Sequence, residues 1–269
     1  MDKNILFVGG GQMAEGIIGG LIGQNVLPPE RIFVHDVVPQ RLKHLKDTYS
    51  IVPAGSRKQQ ELAPDIIFLA VRPQDIASAC ADLAAIPAFH QGTLLASIVA
   101  GADLAKLAAY TSPGQKIVRI MPNTLIRAQN GFSAACVNNH VTEEDCKLIQ
   151  NILGALGQVM FLSEEKFDRF TAYSCVGPMY VYFLMHALIQ AGVRTGFSRE
   201  ESCAITIKNT LGAAQMLELT GDHPFQRIDT MTSPGGVTID ALASLEEDGF
   251  VGTILKSVKA SVDKTYSLR

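Results

Sequence analysis

Gly9-Gly10-Gly11-Gln12-Met13-Ala14 stands directly after the apolar run Ile5-Leu6-Phe7-Val8 and opens a helical pattern. It fits G-x-G-x-x-G/A, with Ala14 at the third small position. In such a turn the first glycine permits the bend and Gly11 lets a pyrophosphate approach the backbone. Ala14 keeps the helix close to the strand, so the amides and dipole of the helix N-terminus face the phosphates. Glycine clusters often only make turns. Here an acid at the end of the next apolar run, Asp36 in Ile32-Phe33-Val34-His35-Asp36, completes a dinucleotide pattern. A carboxylate there accepts hydrogen bonds from the adenosine ribose and repels a 2′-phosphate, which favours NAD. Arg41 and Arg57 lie in segments able to reach the same edge, so the choice between NAD and NADP stays open.

Thr232-Ser233-Pro234-Gly235-Gly236-Val237-Thr238 is the second unusual segment, followed at once by a helical pattern over 239–247. Hydroxyls, two glycines and a helix N-terminus together suit a small anion such as a carboxylate, although a capped turn between helices has the same look. No H-E-x-x-H, G-x-S-x-G or Walker A sequence occurs. The histidines are scattered singly, and His186, on an apolar helix, reads as a packing residue. Cys80, Cys136, Cys146, Cys175 and Cys203 form no C-x-x-C pair, so neither a zinc site nor a redox dithiol is expected.

The elements that must position these residues change character along the chain. Up to about residue 162, short apolar runs alternate with amphipathic helical stretches. The runs are 5–8, 32–34, 66–71, 93–99 and 116–121, with weaker ones at 131–137 and 158–162; the helices include 40–49, 74–83 and 102–110. That alternation predicts a Rossmann-type, doubly wound parallel α/β sheet. Thr142, followed by Glu143, Glu144 and Asp145, caps a helix between the last two strands. From Ser163 the strands stop. Met179–Gln190 is apolar nearly all round and is expected to close at Gly192, with Ser198-Arg199-Glu200-Glu201 as a capping box for a helix to about Gly221. A last helix pair follows Gly236, broken near Gly249. The expectation is therefore a dinucleotide-binding domain over 1–162 and an all-helical domain over 163–269. The helical part is too small to cover an all-apolar helix, which predicts burial against another subunit.

Composition narrows the function classes. The 269 residues carry 23 basic against 26 acidic side chains, a net charge of −3, which gives no electrostatic footprint for nucleic acid. The run Met179–Ala191 is shorter than a bilayer span of about 20 residues, so no membrane association is expected. No basic region precedes an apolar stretch at the N-terminus, and unpaired cysteines fit a reducing compartment, so a soluble cytoplasmic protein is expected.

Four segments in this order resemble the pyrroline-5-carboxylate reductase family: Gly9–Ala14, Ala70-Val71-Arg72-Pro73-Gln74, 118–124 (V-R-I-M-P-N-T) and 232–239 (T-S-P-G-G-V-T-I). The resemblance implies NADPH-dependent reduction of the C=N bond of 1-pyrroline-5-carboxylate to L-proline, the last step of proline biosynthesis, with NADH as the alternative reductant. It implies that Gly9, Gly10, Gly11, Gln12, Met13 and Ala14 hold the pyrophosphate, and that Ala70, Val71, Arg72 and Pro73 lie along the cofactor. Ser97 and Asn123 fall near the nicotinamide. Ser233, Gly236, Val237 and Thr238 grip the substrate carboxylate, and Glu164 lies near the proline-like ligand. No metal is implied. Dimers built through the helical half, assembling further into a decamer, are also implied. The chain departs from the family where Ser174-Cys175-Val176-Gly177 replaces S-G-S-G, where Leu125 replaces Pro, and at Thr230 and Arg72.

Hydride addition to a neutral imine leaves a nitrogen anion, so the nitrogen must be protonated before or during transfer. A protonated iminium is already electrophilic, and orientation can supply on the order of 7–11 kcal/mol. This suits a sequence in which no His or Lys stands out as a general acid. Thr238 is the candidate catalytic residue, its hydroxyl bonded to the ring nitrogen; the alternative is a helix cap. Two rival functions remain: a β-hydroxyacid dehydrogenase-like oxidoreductase, which needs a lysine for which Lys208 is the faint candidate, and a non-catalytic dinucleotide sensor.

Overall fold

Fully apolar strands need cover on both faces, and this chain provides it. The computed structural model describes residues 2–56, 63–84, 89 and 92–267; Arg57 lies outside them. Within these residues β1 (Ile5–Val8), β2 (Ile32–His35), β3 (Val52–Pro53), β4 (Ile66–Leu69), β5 (Leu94–Ser97), β6 (Ile117–Met121), β7 (Gly131–Val137) and β8 (Gly157–Phe161) form one sheet. Its order is β3-β2-β1-β4-β5-β6-β7-β8, parallel throughout except between β6 and β7. β1 sits between β2 and β4, with Ile5 opposite both Ile32 and Ile66. There the winding reverses, the point beyond the strand C-termini at which open α/β sheets take their ligands.

Successive strand residues point to opposite faces. Ile5, Phe7, Ile32, Val34, Ile66 and Phe68 pack under α1 (Gln12–Gly23), α2 (Pro39–Tyr49) and α5 (Glu143–Gly154). Leu6, Val8, Ile67, Leu69 and Leu95 pack under α3 (Ile76–Leu83) and α4 (Leu104–Ala109). The Thr142 capping box is present, its hydroxyl accepting from Asp145 N–H at 3.3 Å. A third cluster seats Phe167 of α6 (Glu164–Phe170) on Met121, Ala134 and Cys136. The sheet unit accordingly runs past residue 162: Met1–Cys175 with Thr265–Arg269 forms one compact unit and Val176–Lys264 another.

The second unit holds α7 (Gly177–Arg194), α8 (Arg199–Thr220), α9 (Pro224–Met231), α10 (Val237–Glu247) and most of α11 (Phe250–Tyr266). Gly192 does not end its helix. α7 continues to Arg194, because Gly192 serves close packing instead: a Cβ there would stand 2.6 Å from Ser202 Oγ of α8. The left-handed turn falls at Gly196, with φ +106°. The capping box at Ser198 forms as expected, and α8 runs to Thr220, with Gly221 as a left-handed cap. Within 176–264 only Pro178, Ser202 and Thr206 are buried. Phe183 is 72% exposed and Tyr182 60%. His186, expected to be packed, is exposed within the chain. The apolar run expected to be too short for a bilayer belongs to a continuous helical stretch, Glu164–Arg194, that is long and apolar enough by length and composition to cross one.

Candidate functional site

Because β1, β2, β4, β5 and β6 are mutually parallel, their C-termini share one edge of the sheet. That edge collects Gly9–Ala14, Asp36, Ala70–Pro73, Ser97 and Asn123. Gly9 has φ +98°, and a Cβ there would collide with the Ala70 carbonyl, so only glycine lets β1 and β4 approach so closely. Gly9 N–H donates to His35 O at 2.8 Å. Gly10 N–H donates to Asp36 Oδ2 at 2.7 Å, and a Cβ at Gly10 would stand 2.7 Å from Leu45 Cδ1. At Gly11 a Cβ would meet nothing within 4 Å. Gly11 is therefore dispensable for packing and faces open space.

α1 begins at Gln12 with Gly11 as N-cap and no side-chain cap, and its first intrahelical bond runs from Glu15 N–H to Gly11 O at 2.9 Å. The amides of Gln12, Met13 and Ala14 thus precede the helical ladder and suit an anion at a helix N-terminus. This cradle fits the pyrophosphate of a dinucleotide. Asp36 also accepts Val38 N–H through Oδ1 at 2.8 Å, so its carboxylate already ties the turn to β2, in addition to any contact with a ribose.

The other edge residues have mixed commitments. Ala70 N–H donates to Val8 O at 2.8 Å, Val71 follows in a bend, and Pro73 opens a short 3-10 turn. Arg72 pairs with Asp75 at 2.8 Å and is otherwise exposed. Ser97 is fully buried, its hydroxyl accepting Val99 N–H at 3.3 Å. Asn123 Oδ1 accepts from Leu125 at 3.2 Å and Phe132 at 3.3 Å, which leaves the Nδ2 donors uncommitted among the described residues.

Glu164 is held through one oxygen. Oε1 accepts Leu104 N–H at 2.8 Å and Arg119 Nη1 at 3.4 Å, while Oε2 has no partner among the described residues. Arg119 is buried, bonds Asp168 at 3.4 Å and lies 4.2 Å over the Phe167 ring, yet its Nε has no partner among the described residues. The sequence reading missed this cluster, whose members come from three elements distant in the chain. The thiolate form is disfavoured in the thiols nearby: burial, reinforced by Glu164 against Arg119, pushes Cys136 up to about 12, and burial pushes Cys175 up to about 11. Among the described residues no group of three or more His, Cys, Asp or Glu gathers at metal-binding distance.

In the second unit, α9 ends at Met231 with Thr232 as its C-cap, and the chain turns through Ser233–Gly236, closed by Gly236 N–H to Ser233 O at 3.0 Å. Gly235 has φ +70°, and a Cβ at Gly236 would stand 2.5 Å from Ser233 Oγ. Gly236 is the N-cap of α10, which no side chain caps. Thr238 lies inside the first turn, so its hydroxyl is not the cap. Val237 is 88% exposed. Bare amides, the Ser233 hydroxyl and a half-buried Thr238 hydroxyl thus share one helix N-terminus.

Comparisons with known proteins match both units. Residues 164–268 fit the family model described as pyrroline-5-carboxylate reductase dimerisation, and residues 4–101 fit that described as NADP oxidoreductase coenzyme F420-dependent. A pyrroline-5-carboxylate reductase of Glycine max is 34% identical over 264 residues, covering 97% of this chain and 94% of that protein. Among solved structures, a pyrroline-5-carboxylate reductase from Coxiella burnetii superposes with TM-score 0.90 at 30% identity, covering 100% of this chain and 99% of that one. The Plasmodium falciparum pyrroline carboxylate reductase with NADP bound superposes with TM-score 0.85 at 30% identity, covering 99% and 98%.

Proposed function

The chain belongs to the pyrroline-5-carboxylate reductase family, and from that premise we propose how its residues divide the work. It is an NADP-dependent oxidoreductase that reduces the C=N bond of 1-pyrroline-5-carboxylate to L-proline, the final step of proline biosynthesis. The bound reduced nicotinamide supplies the hydride. Residues 1–162 bind the dinucleotide, through Gly9–Ala14, Asp36, Ala70–Pro73, Ser97 and Asn123. Residues 163–269 bind the substrate and self-associate. Ser233, Gly236, Val237 and Thr238 hold the substrate carboxylate, and Thr238 offers a hydroxyl to the ring nitrogen. Glu164 is a further proposed substrate-binding residue, its Oε2 being without a partner among the described residues.

The observation that carries this reading is the N-terminus of α10, where amides and hydroxyls converge and no side chain among the described residues caps them, Asp240 being the acid of the first turn. Charge-assisted bonds to a substrate carboxylate are the strong kind. The chain self-associates through the region matched by the dimerisation model, and the exposed apolar surface of α7 is what a second copy covers. That also accounts for the hydropathy of the 164–194 stretch without a membrane. Assembly of dimers into a decamer and residence in the cytoplasm belong to the same proposal.

Spectrophotometric oxidation of NADPH and NADH with 1-pyrroline-5-carboxylate tests the reading. Turnover of the cyclic imine acid is expected. Turnover of a hydroxyacid instead, or cofactor binding without turnover of any imine, overturns it.

A further inference from the structure

A glycine turn binds phosphate only if its N–H groups, and not its carbonyls, point at the ligand. Glycine peptides reorient at little cost, so something must hold them. In a planar trans peptide the C=O of one residue and the N–H of the next point in opposite directions. Fixing the Gly10 and Gly11 carbonyls on one side therefore fixes the Gly11 and Gln12 amides on the other.

One side chain does this. Arg41, from the first turn of α2, donates through Nε to Gly10 O and through Nη2 to Gly11 O at 3.3 Å. Gly11 O also accepts the first helical bond, but Gly10 O has no other partner among the described residues. Asp36 Oδ2 accepts Gly10 N–H at 2.7 Å. The guanidinium is itself anchored by an ion pair to Glu15, a buried carboxylate on α1 that also bonds His44 at 3.0 Å and Tyr49 at 3.3 Å. Burial disfavours the charge on Glu15, but the bonds from His44 and Arg41 and their charges outweigh it and hold the group down to about 2. A buried anion left without Arg41 would be costly, so the guanidinium stays on the turn.

We infer that Arg41, anchored by Glu15, is a positioning residue that orients the Gly11 and Gln12 amides toward the pyrophosphate of either dinucleotide, and is not a contact of the 2′-phosphate. The inference rests on the dinucleotide reading of the turn. The pyrophosphate is common to NADPH and NADH, so loss of Arg41 weakens both by the same factor.

The test uses the full-length enzyme with Arg41→Met, Arg41→Lys and Glu15→Gln, titrated with NADPH and with NADH. Arg41→Met is expected to raise both dissociation constants about tenfold, the scale of one hydrogen bond to a charged group. At saturating cofactor, kcat and the KM for pyrroline-5-carboxylate should be unchanged. Arg41→Lys keeps the charge beside Glu15 but not the planar fork, so it should restore thermal stability without restoring affinity. Should Arg41→Met fail to accumulate, Glu15→Gln carries the test, with an equal but smaller loss for the two cofactors. A loss confined to NADPH overturns the inference, as does unchanged affinity for both with only a lowered Tm. Failure of the wild type to bind either dinucleotide would instead refute the reading of the turn.

Discussion

The two glycine-rich turns differ in what completes them. Around Gly9–Ala14 the protein provides its own partners: His35, Asp36 and Arg41 take the polar groups, and Leu45 and Ala70 leave no room for side chains at Gly10 and Gly9. Around Ser233–Thr238 little is spoken for, and the helices that carry the loop bury almost nothing within the chain. The first turn rests on a sheet packed on both faces, with Ile5, Ile17, Phe68 and Ile120 fully buried. The second belongs to a unit whose apolar surface is exposed within the chain. The proposed function therefore pairs a pre-formed cofactor cradle with a substrate loop that association would complete.

The most disruptive challenge to this contrast is a charge on α7. Phe183→Asp puts a carboxylate on a surface that association would dehydrate, and an unpaired buried charge costs several kcal/mol. The variant is expected to sediment as a monomer and to lose at least a hundredfold in activity, while retaining dinucleotide binding by the sheet unit. A stable dimer with wild-type turnover, or a wild-type protein that is monomeric at micromolar concentration, would show that α7 is not the contact.

Within the cradle, neighbouring glycines should respond in opposite ways. Gly11→Val enters open space and should leave Tm nearly unchanged while raising the cofactor dissociation constant roughly a hundredfold, about 2.7 kcal/mol. Gly10→Val forces its Cβ against Leu45 and should lose stability by about 1–3 kcal/mol. Thermal melts paired with titrations separate the two, and unchanged cofactor affinity in Gly11→Val would reduce the motif to a turn. In the second loop, Thr238→Val keeps the β-branched shape and removes the hydroxyl. A loss of about 1.5–3 kcal/mol, roughly ten- to hundredfold in kcat/KM for the imine, is expected with cofactor KM unmoved. If kcat falls too, the hydroxyl acts as hydride arrives. Wild-type kcat/KM would leave only the backbone amides in the role.

Much of this contrast was legible in the sequence, for physical reasons that also mark where legibility ended. Apolar runs and capping residues are local signals, and seven of the strands, the Thr142 cap and the Ser198 capping box follow from them, whereas the box of His223 with Gln226 ahead of α9 was missed. β3, only Val52–Pro53, is too short to carry a pattern. Gly192 was misread because a helix-ending glycine and a close-packing glycine look alike in one dimension; only Ser202 of α8 distinguishes them. The holding of Gly10 O by Arg41, and of Glu164 by Arg119, joins residues 31 and 45 positions apart, which no local pattern encodes. Exposure of α7 was foreseeable in kind, since an apolar helix in a small unit has to be covered from outside.

The smallest expected effect sharpens the comparison most, because a capping box built on a hydroxyl and an acid occurs once in each unit; the third box, His223 with Gln226 ahead of α9, uses an imidazole and an amide. Thr142 accepts Asp145 N–H at 3.3 Å ahead of α5, and Ser198 accepts Glu201 N–H at 3.1 Å ahead of α8. In both boxes the reciprocal bond, from the cap N–H to the acid, is 2.8 Å and survives replacement of the cap by alanine. Each alanine variant should therefore cost about 1 kcal/mol. What differs is the remainder of the helix. α5 seats Ile149, Ile152 and Leu153 fully in the core, whereas α8 buries only Ser202 and Thr206. Opening of α8 is then tied to dissociation of the dimer, and opening of α5 is not. Two chains recombine into one dimer, so the dissociated fraction falls as the square root of protein concentration, and a hundredfold rise lowers it about tenfold. That exceeds the loss of one cap. Hydrogen exchange read peptide by peptide should show α8 opening more in Ser198→Ala and recovering protection as concentration rises. α5 in Thr142→Ala should open more and stay so at every concentration. Identical concentration dependence in the two helices would mean that the helical unit is as self-sufficient as the sheet, and the contrast between them would fail.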